Sequence, residues 1–240
     1  MNVMSKNFDI KTCKEIHYKN LNMFSSIYGN CYVIRCIDGD VLIDTGDIRC
    51  RDEIEVWLLN YDIKLIVLTH GHNDHIGNAA YFADMYDVPI AMSRYDIPLI
   101  KSNMCRKMYT MNGTGLVLTP FREACRKTET ESFRPDLLLE DGMKLSDLNV
   151  DGVLMSSRII SLDGHTRGSI GILDGRDLYC GDALVSYPLS IEPVYAESPK
   201  AAINTMKKIA AIAPMRIFTG HGEPIVRGDR LYRKFLEKYI

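Results

Sequence analysis

The chain has little of what would place it in the more specialised protein classes. Nowhere in its 240 residues is there an apolar run long enough to span a bilayer, so no membrane partner is expected. The first ten residues carry no long apolar core behind their positive charge and do not read as a secretory signal. The seven cysteines are odd in number, scattered and free of CxxC spacing, which argues against a disulfide framework or a structural zinc site. Reduced thiols in a cytoplasmic protein are the expectation. Charge of one sign is missing too: 29 Lys and Arg stand against 31 Asp and Glu, a net charge of -2. That balance gives no electrostatic reason to expect a nucleic acid as partner. No internal repeat is visible, and histidine is scarce, with six residues in all.

Those few histidines are not spread at random. Thr69-His70-Gly71-His72-Asn73-Asp74-His75-Ile76-Gly77 packs three imidazoles and a carboxylate into six positions. It follows directly on Leu65-Ile66-Val67-Leu68, an apolar run that reads as a buried strand. In an extended loop His70 and His72 can point to one side while Asp74 and His75 address a second position, so one loop can serve two metals. Two more histidines sit in similar local sequence, Gly164-His165-Thr166 and Gly220-His221-Gly222. His17 matches no motif and reads as an ordinary surface or packed histidine.

With His70, His72, Asp74 and His75 meeting an HxHxDH pattern, the sequence resembles the metallo-β-lactamase fold hydrolases. The resemblance continues through Asp44 after the run 41–43, His165 in Gly-His-Thr, Asp182 in Cys-Gly-Asp-Ala and His221 in Thr-Gly-His-Gly. These motifs occur in the family's order and cover nearly the whole chain apart from residues 93–135. The resemblance implies a four-layer αββα sandwich of mixed α/β (α+β) class, with metals at one edge between two sheets. It implies that His70, His72 and His165 hold a first metal and Asp74, His75 and His221 a second, with Asp182 bridging them. Asp44 would orient the ligand loop, and Asp44 and Asp74 are the candidate catalytic carboxylates.

The residue types agree with that reading. Neutral imidazoles suit zinc and related divalent ions, and a carboxylate can span two ions through its two oxygens. The expected cofactors are therefore two divalent metal ions, zinc first, with iron or manganese as alternatives. Such ions lower the pKa of a bound water from about 16 towards roughly 7, so no nucleophilic serine or cysteine is needed.

At 46% hydrophobic and 25% charged residues, the length allows one large domain or two small ones. Motifs running from Asp44 to His221 must converge on one site, which predicts a single domain over 1–240. Strands are predicted at 23–28, 31–37 and 40–44, with Asp38-Gly39 as a hairpin turn, followed by a helix at 51–60 and a strand at 64–69. A helix at 76–85 and a strand at 88–92 follow. The second half gives strands at 137–139, 153–162, 169–173, 177–180 and 216–219. Its helix at 201–212 is opened by Ser198-Pro199. Strand, helix, strand alternation predicts parallel pairing with helices outside.

Residues 93–135 have weak periodicity, a turn at Asn112-Gly113-Thr114-Gly115, and the bases Arg94, Lys101, Arg106, Lys107, Arg122, Arg126 and Lys127. Two readings stand: an inserted lid-like segment whose bases meet an anionic substrate, or a helical excursion with a solvated cationic face.

Departures narrow the family. Arg167 stands where many members have proline. Asp182 is present, whereas the metal-dependent β-lactamases lack the bridging aspartate. Only about twenty residues follow His221, too few for the helical substrate domain of the glyoxalase II enzymes, and the inserted domain or flexible arm of the nucleases is not seen. The expected activity is hydrolysis of a small ester-like molecule, thioester or lactone first. The alternatives are a mononuclear iron sulfur-dioxygenase and, further off, a phosphodiesterase or nuclease. Oligomeric state is left open.

Overall fold

The computed structural model describes residues 14–18, 21–100, 106–115, 130–153 and 156–240. Strands β1 (Lys14–Tyr18), β2 (Leu21–Ser25), β3 (Asn30–Arg35) and β4 (Asp40–Ile43) run antiparallel in succession. At the Asp38-Gly39 turn Cys36 N donates to Gly39 O at 2.8 Å, closing the predicted hairpin. The chain then passes through α1 (Arg51–Leu58) to β5 (Ile63–Val67), and through α2 (Asn73–Ile76) and α3 (Ala79–Tyr86) to β6 (Ile90–Met92). As helical crossovers require, β4, β5 and β6 pair in parallel. Past α4 (Ile97–Ile100) and β7 (Tyr109–Thr110), β8 (Leu137–Leu138) joins β6 and completes a sheet ordered β1-β2-β3-β4-β5-β6-β8.

The second sheet is built from β9 (Arg158–Ser161), β10 (Ile170–Asp174), β11 (Asp177–Gly181), β13 (Arg216–Thr219) and β14 (Ile225–Val226), in the order β14-β13-β11-β10-β9. Between β11 and β13 lie β12 (Tyr195–Ala196), which pairs with β7, and α5 (Pro199–Ile212). Ser198 caps α5 by accepting from Ala201 N at 3.3 Å, with proline at the first helical position. Helix α6 (Arg230–Tyr239) ends the chain's last turn around the sheet.

Side-chain alternation turns these sheets into layers. In β4 and β5, Val41, Ile43, Leu65 and Val67 point one way, joining Tyr32, Ile159, Ile170, Ile172, Tyr179 and Phe218 between the two sheets. Leu42 and Ile66 point the other way, onto Ile54, Trp57 and Leu58 of α1 and Phe82 of α3. Strands covered on both faces are apolar throughout, which is why β5 reads as an unbroken hydrophobic run. On the far side Leu178 and Ile217 pack on Met206 and Ile209 of α5 and on Tyr232 and Phe235 of α6. The order is helix, sheet, sheet, helix, the four-layer sandwich.

Some elements differ from expectation. The helix predicted at 76–85 is interrupted between α2 and α3 by Asn78, at φ −115° and ψ 13°, next to Gly77, where an added Cβ would lie 2.6 Å from Gly46 O. Among the described residues of the strand predicted at 153–162, those in a strand are Arg158–Ser161; residues 154–155 lie outside the described residues. Neither β1 nor α6 was predicted. Within 93–135, Lys101, Arg122, Arg126 and Lys127 lie outside the described residues. Among the described residues no helix is long and apolar enough to cross a membrane.

Candidate metal centre

The candidate ligands leave the sheets at one edge. Asp44 follows β4 and His70 to His75 follow β5, while Asp182 follows β11, His221 follows β13, and His165 lies in the β9–β10 connection. Three overlapping groups form there: His70, His72 and His165; His70, His75 and Asp182; and Asp74, His75 and His221. Within each, the donor atoms lie within 4.8 Å of one another. All seven candidate ligands are thus brought together, while His17 belongs to the edge strand β1.

The hydrogen bonds behind the rings determine which nitrogens face inwards. Asp44, in a left-handed conformation at φ 56°, accepts from Thr69 N, Thr69 Oγ1 and His75 Nδ1, each at 2.7 Å. With its proton committed to Asp44, Thr69 Oγ1 accepts from His70 Nδ1 at 3.1 Å. His165 Nδ1 donates to the Tyr195 carbonyl at 3.0 Å. Each ring that spends its Nδ1 proton in this way turns Nε2 into the cluster as a lone pair when neutral. His72 is reversed: its Nδ1 lies 3.0 Å from both His70 Nε2 and His165 Nε2, and its buried Nε2 has no partner.

With the His72 proton on Nε2, the three converging nitrogens present lone pairs that a cation among them would satisfy; with it on Nδ1, His72 donates to one of the two facing rings. Burial, then the neighbouring rings, holds His72 down to about 3 and His70 well below its ordinary value, so both are neutral near pH 7. His75 Nε2 and Asp182 Oδ1 are also buried without a hydrogen bond. Space is reserved as well: a Cβ on Gly220 would fall 2.1 Å from Asp182 Oδ1 and 2.6 Å from His75 Cε1. Buried ring and carboxylate atoms without partners, three convergent imidazoles and a glycine-lined hollow fit a divalent metal centre.

Asp182 lies between the groups. Its Oδ2 is 3.4 Å from His165 Nε2 and 3.3 Å from His221 Nε2, and its Oδ1 is 3.4 Å from His75 Nε2. On this side carboxylates and imidazoles compensate one another. Against burial, Asp44 and Asp182 raise His75 to about 10. His221 is likewise raised against burial by Asp182 and Asp74. Burial opposes ionisation of Asp74, but its bond to His221 holds the carboxyl down to about 2. The open side of the centre is at His72, Asp74 and His221, which are half-buried, whereas His70, His75, His165 and Asp182 are buried.

The loops are braced by residues that the sequence reading did not single out. Asn30, fully buried, donates through Nδ2 to Thr219 O at 3.0 Å and Gly222 O at 2.8 Å, tying the first sheet to the His221 loop. Glu197 holds the His165 turn: its N donates to His165 O at 3.0 Å, and its Oε2 accepts from Arg167 N at 2.9 Å. A proline at 167 has no N–H to give, so this chain exchanges a rigid angle for a hydrogen bond. Arg106, one of the bases for which a substrate-facing and a solvated reading both stood, is ion-paired with Asp96 and Glu197. The signal for these residues is weak, because isolated polar residues outside a motif carry no spacing.

A model of the metallo-beta-lactamase superfamily matches residues 27–221. The probable metallo-hydrolase YflN of Bacillus subtilis (strain 168) is 27% identical over 184 residues, which cover 69% of this chain and 66% of that one. YybB, a probable metallo-hydrolase of the same organism, is 24% identical over 213 residues, covering 84% of this chain and 85% of its own. The chain therefore spans about two thirds of YflN and most of YybB. The crystal structure of TTHA1623 in a di-iron-bound form superposes with a TM-score of 0.60 at 25% identity, covering 82% of this chain and 89% of that one.

Proposed function

Because the chain belongs to the metallo-beta-lactamase superfamily, we propose that it is a dinuclear metal-dependent hydrolase of a small ester-like substrate, a thioester or lactone first. The observation that carries this is Asp182, whose two oxygens lie at 3.3–3.4 Å from imidazole nitrogens of both donor groups. His70, His72 and His165 would hold one ion, Asp74, His75 and His221 the other, with Asp182 shared. Bound there, divalent ions supply Lewis acidity and bring the pKa of water to about 7.

The chain's own residues supply orientation and proton control. Asp44 keeps the His75 proton on Nδ1 and, through Thr69, fixes His70; the Tyr195 carbonyl does the same for His165. Substrate reaches the open side, past Asp74 and His221, whose side chains are 20% and 16% exposed. Tyr187, half-buried and in the field of His221, Asp182 and Asp74, lines that approach. Zinc is the first expectation, and the di-iron form of TTHA1623 favours iron as the second. Metal analysis of protein purified without added metal, with a panel of esters, thioesters, lactones and phosphodiesters, tests the reading. Two ions per chain and turnover of an ester-like substrate are expected. One iron per chain with oxygen consumption on a persulfide would replace it with the sulfur-dioxygenase.

A further inference from the structure

Asp96 is fully buried, yet it touches none of the seven candidate ligands. It lies in a short 3-10 turn between β6 and α4, beyond Ser93, which caps that turn. Its Oδ2 accepts from Gly71 N at 3.1 Å and from Thr166 Oγ1 at 2.6 Å, and its Oδ1 accepts from Gly168 N at 2.9 Å and from Arg106 Nη2. Gly71 separates His70 from His72, and Thr166 follows His165. One carboxylate therefore grips the two loops that form the three-imidazole group. We propose that Asp96 is a positioning residue that sets the distance between the His70-Gly71-His72 loop and the Gly164-His165-Thr166 turn, with Arg106 and Glu197 completing the clamp.

The glycines fit this assignment. A Cβ at Gly168 would lie 2.5 Å from Asp96 Cγ, and one at Gly71 would lie 2.9 Å from Leu99 Cβ and 3.1 Å from Asp96 O. Only residues without a side chain bring both backbones this close to one carboxylate. The grip needs four acceptor sites, which an ionised carboxylate has and an amide does not. Arg106 supplies the compensating charge: it reaches Asp96, Glu197 Oε1 at 2.6 Å and the Tyr95 carbonyl at 2.9 Å. Glu197 passes the restraint to Arg167 N and His165 O, so the turn is held from both sides. The second donor group, Asp74, His75 and His221, receives no bond from Asp96. Its support comes from Asp44.

This inference rests on the metal-hydrolase reading for its effect on ions, but its backbone contacts can be tested without any ion. The variant is Asp96→Asn, in which an NH2 must meet a donor N–H. In metal-free protein, amide exchange at Gly71 and Gly168 should quicken at least about tenfold relative to distant core amides. Titration with cobalt(II) alone, followed by its visible spectrum under chelator competition, should show the ion at His70, His72 and His165 weakened roughly 10- to 100-fold. The ion at Asp74, His75 and His221 should change by less than about threefold. Unchanged exchange at both glycines, or equal weakening of both ions alongside a lower melting temperature, would overturn the assignment. Should Asp96→Asn not fold, Glu197→Gln must move the same affinity ratio in the same direction by a smaller factor; an unmoved ratio rejects the clamp. Wild-type protein that holds no ion pair removes the proposed function, while the glycine exchange still decides whether Asp96 holds the loops.

Discussion

Where His70, His72 and His165 meet, ring nitrogens face one another at 3.0 Å, and burial drives His70 and His72 neutral. Where Asp74, His75 and His221 meet, carboxylates stand beside the rings, and His75 and His221 are raised so that they carry protons. The first half gathers neutral rings with no carboxylate among them. The second half pairs its rings with carboxylates and so favours protonated imidazoles. Two groups built from nearly the same residue types would thus take up an ion under different rules, and the cause is where the carboxylates stand.

The largest expected effect comes from removing the residue common to both halves. Asp182→Ala should bring metal content below two ions per chain and lower turnover by at least about a thousandfold, because no other carboxylate spans the pair. Elemental analysis with steady-state kinetics checks this, and two tightly held ions with normal turnover would sink the bridging role. The difference in protonation is sharpened by calorimetry. At pH 7, uptake at the second half should release about two protons, from His75 and His221, whereas His70 and His72 release none. The second ion should then lose about a hundredfold in affinity per pH unit downwards, and isotherms in buffers of different ionisation enthalpy read both quantities.

Asp44→Asn should break the comparison, since Asp44 orients His75 directly and His70 through Thr69. Both ions should weaken, by about 10- to 100-fold, and an effect on one half alone would show that Thr69 orients His70 unaided. The smallest effect concerns stability of the metal-free protein. His75, raised from 6.5 to about 10, contributes stability that is full below about 6.5 and is lost as pH rises through about 10. His72, lowered to about 3, contributes stability present above about 6.5 and lost as pH falls towards 3. Asp74, lowered to about 2, adds a loss below its ordinary 3.8. Melting temperature should peak near pH 6.5 and drop by at least about 5 °C towards pH 4 and pH 10, and a flat profile would contradict these shifts.

Much of this was legible in the sequence because the ligands travel with strand ends. The runs before Asp44, His70 and His221 are apolar enough to read as buried strands, and Ser198-Pro199 marks its helix start within two residues. Those signals are local. What escaped depends on contacts between distant segments: Gly46 O approaches Gly77 so closely that no Cβ fits there, and Asp96 accepts from loops that lie on either side of it in sequence. The pairing of Arg106 escaped for the same reason. A base in a weakly periodic stretch looks free until Asp96 and Glu197, ten and 91 positions away, are seen beside it. Helix α6 was legible but went unread: Leu231, Tyr232, Phe235, Leu236 and Tyr239 recur at helical spacing and pack on the second sheet's outer cluster.

The aromatic seam of Tyr32, Tyr179 and Phe218 has a consequence well away from its own packing. The first sheet delivers His70, His72, Asp74 and His75, and the second delivers His165, Asp182 and His221. Neither sheet carries a complete set. The seam therefore works as the alignment gauge of a two-part instrument, since a small slip of one sheet across the other would separate the donors while leaving each sheet intact. Substitutions at Phe218, whose ring meets Tyr32 of the first sheet edge-on at 5.6 Å, would then act as inherited detuning, degrading the chemistry in a protein that still folds.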